Sequence, residues 1–590
     1  MAEDTMDSQV TLNVEDQVFT APRDLLCEHS DYFRAMFSGN YVEQQRQAIS
    51  INVVDANSMK IILRYMEIGF IDLTELPLHV VGELAIAANF LQITELIKQI
   101  EYCLDIQLSP SNWVETMIIA ENASYSKLEQ LCAAFGLFSF KSMKPEYIPS
   151  MQKLYWYLSH PYLDTASELD VFEFGMQWIS HTETGADALL ILLGCLDMKK
   201  LNNMELKVIK DIISDYVNSL ADKVIDCLHT LTRDHELSVE SITTNKRKIC
   251  EMFTERVYTE VLILVKESIT RNLEYTPVIP MWVFENNKPA VMQSGILYKF
   301  AQNKGFADWL EVTEKEIWGW SVVSWGATKV VVVCGERGRG TGMFVKDVKV
   351  FDVLRKEWTR HGVQLPPRRH GGVAIVGDSL FLIGGVGGFR VVLDTAVVYD
   401  LKQRSFRKIA KLPDAIQNPA VCAHEETVYA AGHKNIYKYE DLGESDRWVT
   451  SVTTDIRINC MVSFKKYIYC TQNYFTELYR FRPGIDNCLE LVTNFSNPPA
   501  SLCNLGDRLM VFTSTTRNSS DVSEVLSAEV YTGLQSRETP QVIWSQKETP
   551  FVVNDVAGSV ALIMTMPPVN PGTSQYHKRY LDKYTYSSYN

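Results

Sequence analysis

A run of closely spaced glycines is the stretch of this sequence that most resembles a catalytic loop, since glycine-rich loops cradle phosphate groups. It reads Gly335-Glu-Arg-Gly338-Arg-Gly340-Thr-Gly342. Phosphate binding of this kind needs a following helix, whose N-terminus faces the anion, or a Gly-Lys-Ser/Thr sequence. Neither is present, and β-branched runs lie on both sides, so we interpret the stretch as a flexible loop between two strands.

The rest of the residue pattern offers no support for catalysis. The eleven histidines are scattered singly, and His370 and His433 are interpreted as loop or packing residues. The twelve cysteines form no Cys-x-x-Cys pair, which argues against a zinc site and against a disulfide scaffold. The sequence contains no nucleophile elbow, metalloprotease helix or kinase loop. We therefore predict that the protein is not an enzyme and binds no cofactor or metal.

A cluster of arginines is the strongest candidate for a binding site. Residues 336–410 contain 14 Lys/Arg against 7 Asp/Glu, within a chain whose net charge is −15. The planar guanidinium of arginine makes paired contacts with carboxylate or phosphate. The cluster is either a solvated rim or an anion-recognising mouth for an acidic peptide. The predicted substrate-binding residues are Arg337, Arg339, Arg368, Arg369 and Arg390.

The elements that must position these arginines change character near residue 275. Before it, apolar residues recur at helical spacing, and after it the chain consists of short β-branched and aromatic runs broken by Gly, Asp and Pro. In this second half, aromatic residues or their substitutes recur every 41 to 55 residues. Such a period is typical of a β-propeller with one four-stranded sheet per repeat. These residues are Trp309, Trp358, Phe406, Trp448, Leu489 and Trp544.

The repeats predict six blades that the C-terminal strand closes into a ring. The first repeat, residues 282–312, lacks an innermost strand, whereas residues 555–566 read as a single strand. Pairing between the two removes the open sheet edges. In a four-stranded meander, the loop between strands two and three and the loop between blades emerge on the same face. The five arginines fall in such loops.

The overall composition argues against nucleic acid and membranes as partners. The net charge of −15 and the pI near 5.3 argue against a protein that coats nucleic acid. The longest strongly apolar run, at 188–196, is half the length of a membrane span, and the N-terminal residues are acidic where a signal peptide is basic. We predict a cytoplasmic protein without nucleic-acid or membrane partners, whose thiols are buried as small hydrophobic groups.

Three parts of the chain resemble domains of one family. Residues 19–26, 30–39 and 85–91 (FTAPRDLL, SDYFRAMFSG and AIAANFL) are similar to the BTB domain, whose α+β order is matched by a strand at Val10–Val14 and a helix capped by Asp55. The stretches SPSNW and ELDVFEFGMQW resemble the BACK domain. The double glycine Gly384-Gly385, followed by an aromatic-Asp pair and an outer aromatic residue, resembles the kelch repeat.

The whole chain is thus similar to BTB–BACK–kelch (kelch-like) proteins. The resemblance predicts a multidomain fold with an α+β BTB domain, an all-α BACK domain and an all-β six-bladed kelch propeller. The predicted boundaries are residues 1–107 for BTB, 108–271 for BACK, 272–280 for a proline-containing linker, 281–570 for the propeller with degenerate later blades, and 571–590 for a tail.

The resemblance implies a substrate-recruiting adaptor of a cullin-3 RING E3 ubiquitin ligase, with BTB and BACK on the cullin and the propeller on the substrate. The family's hydrophobic-x-Glu motif is matched by Tyr41, Val42 and Glu43, the predicted cullin-binding residues. The alternative is a cytoskeletal or structural kelch protein that binds actin without ligase activity. Gln9 replaces an aspartate of the relatives, and only about nine residues precede the first strand. These departures predict a homodimer that is held weakly at most.

Overall fold

A computed structural model describes residues 9–38, 48–182, 187–216, 219–233, 237–283, 296–312, 317–338, 340–443, 445–516, 523–533, 538–545, 551–553 and 558–572. The chain divides into two units. The first comprises Met1–Leu273 together with Met566–Asn590, and the second comprises Glu274–Thr565. Helices dominate the first unit and strands the second, in agreement with the change of periodicity near residue 275.

A three-stranded sheet opens the first unit. Strand β1 (Gln9–Val14) pairs antiparallel with β2 (Gln17–Pro22) and parallel with β3 (Ala48–Ser50). The alternate apolar residues of β1 are buried, as its period-two pattern predicts. The helices that follow these strands are α1 (Arg23–His29), α2 (Asp31–Ser38), α3 (Ala56–Ile68), α4 (Leu78–Phe90) and α5 (Thr94–Ile106).

Helix α3 shows how the sequence sets the ends of these helices. The Asp55 side chain accepts a hydrogen bond of 2.8 Å from the backbone N–H of Ser58, as the sequence predicts for an N-cap. At the other end, Gly69 has a φ of 80°, a left-handed conformation that glycine adopts without a Cβ clash. Between α1 and α2, the hydroxyl of Ser30 donates to the carbonyl oxygen of Leu91 at 2.5 Å.

Helices make up the rest of the first unit. The apolar run at 188–196 is buried, which explains its composition without a membrane. Helix α11 begins with a capping box, in which Asn202 and Glu205 satisfy each other's backbone N–H groups. The helices are α6 (Trp113–Asn122), α7 (Ser126–Phe138), α8 (Met151–Leu158), α9 (Glu168–His181), α10 (Ala188–Gly194), α11 (Asn203–Ser214), α12 (Ser219–Arg233), α13 (Val239–Thr244), α14 (Lys246–Met252) and α15 (Glu255–Lys266).

The described strands of the second unit form six four-stranded blades, as the sequence predicts. Each blade is an antiparallel meander that runs from an innermost to an outermost strand. Blade one contains β30 (Val560–Leu562), β4 (Thr276–Val283), β5 (Ile296–Ala301) and β6 (Gly305–Glu311). Blade two contains β8 (Ser321–Trp325), β9 (Lys329–Val333), β11 (Val348–Asp352) and β12 (Glu357–His361). Blade three contains β13 (Gly372–Val376), β14 (Ser379–Ile383), β15 (Ala396–Asp400) and β16 (Ser405–Ile409).

The later blades keep this architecture although their kelch pattern has decayed. Blade four contains β17 (Val421–His424), β18 (Thr427–Ala431), β19 (Asn435–Asp441) and β20 (Asp446–Thr453). Blade five contains β21 (Ile458–Phe464), β22 (Tyr467–Gln472), β23 (Glu477–Phe481) and β24 (Glu490–Asn494). Blade six contains β25 (Pro499–Asn504), β26 (Leu509–Thr516), β27 (Ser523–Tyr531) and β28 (Gln541–Ser545). The remaining short strands are β7 (Ile317–Trp318), β10 (Glu336–Arg337) and β29 (Phe551–Val553).

The ring closes through the C-terminal strand. Strand β30 pairs antiparallel with β4, with Val560 opposite Val278 and Leu562 opposite Thr276. Strand β29 pairs with both β27 and β4, so blades six and one form one continuous nine-stranded sheet. The edges that an open propeller would expose are therefore paired.

Two limits in the structure differ from the predicted domain boundaries at the edges of the propeller. The predicted linker 272–280 overlaps β4, because the φ of proline suits an extended strand and the residues between Pro277 and Pro280 are fully buried. The propeller unit ends at Thr565 and not at residue 570, since the chain beyond it belongs to the helical unit. There the carbonyl oxygens of Pro568 and Val569 are hydrogen-bonded to side chains next to α8.

Aromatic side chains fill the outer part of the wedges between blades. Phe351 lies directly opposite Trp358 in the strand register, with ring centroids 5.1 Å apart. Trp309 of blade one lies 5.8 Å from Phe351 of blade two. In blade four, Tyr439 and Trp448 form the equivalent cross-strand pair at 5.3 Å. The repeated aromatic spacing of the sequence thus reflects cross-strand pairs that widen each blade outward.

Candidate protein-interaction sites

The predicted cullin-binding residues Tyr41, Val42 and Glu43 lie outside the described residues. Helix α2 ends before them at Ser38, and β3 begins after them at Ala48. Their role therefore stays a prediction that rests on the motif.

The loops that carry the arginines meet on one face of the propeller, which we call the arginine face. It consists of the loops between the second and third strands of a blade and the loops between blades. The backbone N–H of Gly335 donates to the carbonyl oxygen of Arg368 at 3.0 Å. Arg369 and Val386 exchange two backbone hydrogen bonds of 2.9 and 2.8 Å. Blades two and three are thus hydrogen-bonded together at this face, as the strand direction predicts.

The guanidinium of Arg369 is buried beneath this face and is not available on its surface. It forms an ion pair with the carboxylate of Glu336, and both side chains are largely buried. Burial alone raises the pKa of Glu336, but hydrogen bonds from the Gly342 and Gly340 backbone and the charge of Arg369 lower the pKa overall. The pair therefore fixes the glycine-rich loop against the loop between blades two and three.

Arg368, predicted to bind substrate, has a side chain that is only 1% exposed and lies inside the propeller. Its Nη1 donates to the carbonyl oxygens of Gly384 and Thr395 at 2.9 Å each. Burial lowers the pKa of this guanidinium. These two carbonyls begin and end the loop that joins β14 to β15, so Arg368 holds the base of that loop together.

Two of the five predicted arginines are exposed on the arginine face. They are Arg337, in β10, and Arg390, at the tip of the loop between β14 and β15. A Cβ placed on Gly340 would lie 3.6 Å from Arg390 Nη2, so the loops that carry these two residues approach each other. Arg339 lies outside the described residues. Sequence reasoning missed Glu336, whose position directly before Arg337 gave no sign that it would pair with Arg369.

The innermost strands enclose a channel of about 430 Å³. Among the described residues that line it, the polar groups are serine hydroxyls, cysteine thiols and the amides of Asn418, Asn459 and Asn504, without a carboxylate, histidine, lysine or arginine. Burial raises the pKa of Cys422 to about 12 and that of Cys460 to about 11. These thiols stay protonated at neutral pH and lack the thiolate that nucleophilic chemistry needs.

The described part of the chain offers neither a cluster of metal ligands nor a helix of membrane-spanning length and composition. No group of three or more His, Cys, Asp or Glu side chains there is placed to hold a metal ion. None of the described helices is both long and apolar enough to cross a membrane.

Comparison with known proteins gives matches in both units. The BTB/POZ domain family matches residues 2–108, and the kelch motif family matches residues 367–413. The second match covers blade three and the loop before it, which includes Arg368 and Arg369. The other blades are thus propeller blades by structure and not by this motif.

Several kelch-like proteins are similar in sequence. Kelch-like protein 15 from Mus musculus is 29% identical over 181 residues, which cover 29% of this chain and 29% of that protein. Kelch-like protein 24a from Danio rerio is 29% identical over 177 residues, or 30% of this chain and 29% of that protein. The chain therefore spans less than a third of the length of these relatives. Kelch-like protein 25 from Mus musculus is 24% identical over 448 residues, or 73% of this chain and 70% of that protein.

The two domain matches and the fold agree on one family. A BTB/POZ domain stands at the N-terminus, and the second unit is a propeller whose third blade carries the kelch motif. Both kinds of domain serve protein–protein interaction. Together with the kelch-like relatives, this combination of domains supports a member of the BTB–kelch family.

Proposed function

We propose that the protein is a substrate-recruiting adaptor of a cullin-3 RING E3 ubiquitin ligase, in which the BTB domain binds the cullin and the propeller binds a substrate protein. The observation that carries this proposal is the presence of a BTB/POZ domain and a kelch propeller in one chain. Such an adaptor is not an enzyme. It holds the substrate at high local concentration beside the subunits that carry out the chemistry.

The cullin-binding residues of this proposal are Tyr41, Val42 and Glu43. A tyrosine ring that enters a cleft on the partner buries apolar surface, and an adjacent carboxylate selects a cleft with basic groups. The match of this segment to the hydrophobic-x-Glu motif of kelch-like proteins supports the assignment.

The substrate site of this proposal is the arginine face, with Arg337 and Arg390 as exposed cations. Arg339, two residues after Arg337 in the sequence, is included on the sequence pattern alone. An acidic region of the substrate protein complements this charge. Arg368 and Arg369 belong to the framework that holds the loops. We also propose that the adaptor is cytoplasmic, since none of the twelve cysteines, all of which lie in the described part of the chain, forms a disulfide bond, as is usual in a reducing compartment.

Affinity purification of the full chain from cells tests the proposal. The double substitution Tyr41→Ala with Glu43→Ala should reduce the recovered cullin-3 by about tenfold or more, because anchor residues of this kind dominate interface energy. Glu67→Ala with Phe70→Ala is the matched control, as it removes an exposed glutamate and an exposed aromatic ring elsewhere in the BTB domain. Unchanged cullin recovery by the folded Tyr41/Glu43 variant would overturn the assignment.

The same preparation tests the alternative function. Wild-type protein that co-sediments with actin filaments and recovers no cullin would favour a structural kelch protein over the adaptor. Light scattering of this preparation at micromolar concentration tests the weak homodimer predicted from Gln9.

A further inference from the structure

One aromatic side chain stands clear of the propeller on the arginine face. Phe389 lies at the tip of the loop between β14 and β15, and its exposed area is 104% of the reference value, so the ring is fully exposed. The neighbouring Val391 and Val392 are also exposed. Covering the apolar surface of this ring with a partner would be favourable, because it removes that surface from water. We call residues 387–392 the blade-three tip.

The conformation of the blade-three tip is imposed by hydrogen bonds. The backbone N–H of Gly387 donates to the carbonyl oxygen of Val391 at 2.8 Å, and the N–H of Val391 donates to the carbonyl oxygen of Gly388 at 3.2 Å. Val386 and Val392 form an antiparallel bridge below the tip. Arg368 holds both ends of the loop from inside the propeller. The backbone of the tip is therefore held in one conformation.

This arrangement uses an unfavourable backbone. Phe389 and Arg390 have φ values of 54° and 60°, so two consecutive residues with a Cβ occupy the left-handed region. Gly387 and Gly388, which would adopt this conformation without strain, directly precede them. Strain of this kind persists where the surrounding structure enforces it, and it is concentrated at functional positions. The geometry directs an apolar ring and a cation outward together.

The charge beside the ring is positive and is not balanced within the loop. Asp394, the acidic residue of this loop, lies 3.2 Å from the ammonium of Lys411. Glu336 of the adjacent loop is buried against Arg369. Within the described part of the chain, Arg390 has no carboxylate at ion-pair distance. A partner that covers Phe389 therefore meets an uncompensated guanidinium next to it.

Exposed aromatic residues in the described propeller loops occur on this face. Tyr474 and Phe475 lie between β22 and β23, which are the second and third strands of blade five. The loops of the opposite face expose aliphatic residues instead, namely Leu442 and Ile485. The aromatic rings thus share the face of Arg390, which supports a common role in binding.

We propose that Phe389 is an anchor that inserts into an apolar pocket, bordered by carboxylates, on the surface of a folded partner protein. The inference rests on the proposed function in that it takes the propeller as the substrate-binding part. The ring projects away from the propeller and is not recessed in a groove, so its burial requires a concave surface on the partner. A folded domain supplies such a pocket, whereas an extended peptide covers one side of the ring at most. Aromatic and arginine side chains are typical anchors of protein interfaces.

Site-specific photocrosslinking in the full-length protein tests the proposal. Benzoylphenylalanine is placed at position 389 in one variant and at position 485 in the control, since Ile485 is also an exposed apolar loop residue but lies on the opposite face. The crosslinked residues are then mapped by mass spectrometry. We expect position 389 to mark apolar residues next to Asp or Glu within a folded domain of another protein, and position 485 not to mark that domain.

The second measurement is the affinity between this protein and the partner domain that the crosslinks identify. Phe389→Ser should weaken its binding by about tenfold or more, whereas Ile485→Ser should leave it unchanged. Crosslinks to an unstructured acidic segment, to a second copy of this chain or to nothing would each overturn the proposal, as would unchanged affinity of Phe389→Ser. Cullin-3 recovery from the same samples separates the two hypotheses. Cullin that remains bound while the anchor test fails leaves the adaptor function intact, and loss of cullin with an intact anchor rejects only the adaptor.

Discussion

The indole Nε1 of Trp156 donates a hydrogen bond of 2.8 Å to the carbonyl oxygen of Val569, which lies 413 residues further along the chain. The chain leaves the helical unit beside the same turn, because the backbone N–H of Asn272 donates to the carbonyl oxygen of Pro161 at 2.8 Å. Residues 156–161 therefore hold the chain both before and after the propeller. The helical unit thus consists of two separate stretches of chain, and the end of the first stretch and the start of the second are hydrogen-bonded to the same turn of that unit.

Removal of the indole donor should loosen the C-terminal segment. Trp156→Phe leaves the carbonyl oxygen of Val569 without its partner, and we expect a loss of about 1 kcal/mol in the free energy of unfolding of the helical unit. Amide hydrogen exchange at residues 569–572 should become faster. Trp178→Phe is the control, since it removes an indole hydrogen bond of the same length to Ile148 within the helical unit. Equal exchange at 569–572 in both variants would contradict this role of Trp156.

His160 should make the stability of the helical unit depend on pH. The ring is fully buried, and Nδ1 accepts a hydrogen bond from the N–H of Tyr162 at 3.2 Å, so Nε2 carries the proton and donates to Pro568. Burial and, to a smaller extent, the charge of Arg271 lower the pKa of His160, while the Pro568 hydrogen bond raises it, and the net pKa is about 4. In the unfolded chain the pKa of histidine is about 6.5.

The sign of the effect follows from these two pKa values. Above about pH 6.5 the histidine is neutral in both states, and its contribution is fully present. As the pH falls from there towards about 4, the unfolded chain binds a proton first, and stability is lost. The free energy of unfolding, measured with urea, should be lower at pH 5 than at pH 7, and His160 should account for about 2 kcal/mol of the difference. His160→Gln should show a smaller difference, and an unchanged difference would exclude His160 as its source.

Much of the fold follows from sequence patterns that reflect local physical constraints. Phe351 and Trp358 are seven residues apart because each faces the other across adjacent strands, so their repetition reveals a four-stranded blade. Asp55 was identifiable as a helix cap because capping is a local interaction. The site was less predictable. The loops of Arg368 and Arg369 follow from strand direction, but their burial depends on carbonyl oxygens and on a carboxylate from other loops.

Contacts between segments far apart in the chain could not be predicted from the sequence. The hydrogen bond between Trp156 and Val569 leaves no periodic pattern, since neither residue type nor spacing marks the pair. Pro277 and Pro280 suggested a linker, although the apolar residues between them are buried in a strand. The exposure of Phe389 could not be predicted from the sequence either, because an apolar residue is expected to be buried inside a propeller.

The buried ion pair at the end of the helical unit should be sensitive to loss of one partner. Arg271 contacts both carboxylate oxygens of Glu168 at 3.0 Å and donates to the carbonyl oxygens of Leu158 and His160. Arg271→Met leaves a buried carboxylate uncompensated, so we expect a loss of about 3–5 kcal/mol in the free energy of unfolding.

Two further variants distinguish the effect of the unpaired Glu168 carboxylate from the effect of losing an arginine side chain. Adding Glu168→Gln to Arg271→Met removes the unpaired charge and should recover part of the stability, as measured in a double-mutant cycle. Arg34→Met is the surface control, because the pair of Arg34 with Asp31 is more than half exposed and contributes at most about 1 kcal/mol. Similar losses for Arg34→Met and Arg271→Met would contradict the prediction.

Closure of the ring should depend on Leu562. This residue of β30 is fully buried in the core between blades one and two. Leu562→Ala creates a cavity beside the closing strand, with an expected loss of about 2–5 kcal/mol in the free energy of unfolding of the propeller. Leu491→Ala, on the exposed side of an outer strand, is the control and should change stability by less than about 0.5 kcal/mol. Thermal and urea unfolding measure both variants, and equal stabilities would show that β30 does not close the propeller.

Substrate binding on the arginine face should depend on Arg337 and Arg390 and on salt. Substitution of both residues by Glu should reduce the affinity of the propeller for an acidic substrate protein. Cullin-3 should remain bound through the BTB domain. Affinity of the wild type should fall as sodium chloride increases, because exposed charges are screened within about 8 Å at physiological ionic strength. Substitution of both residues by Lys should restore only part of the affinity, because an ammonium lacks the planar pair of donors.

Arg369→Glu serves as the contrasting variant in this experiment. It places a second carboxylate against buried Glu336, so we expect it to lower the melting temperature of the propeller, which the surface reversals leave unchanged. Binding is measured by titration of the purified substrate at several salt concentrations. If the Arg337/Arg390 reversal binds the same substrate with wild-type affinity and salt dependence, the exposed arginines form only a solvated rim. Recognition would then lie in the loops of blades four to six.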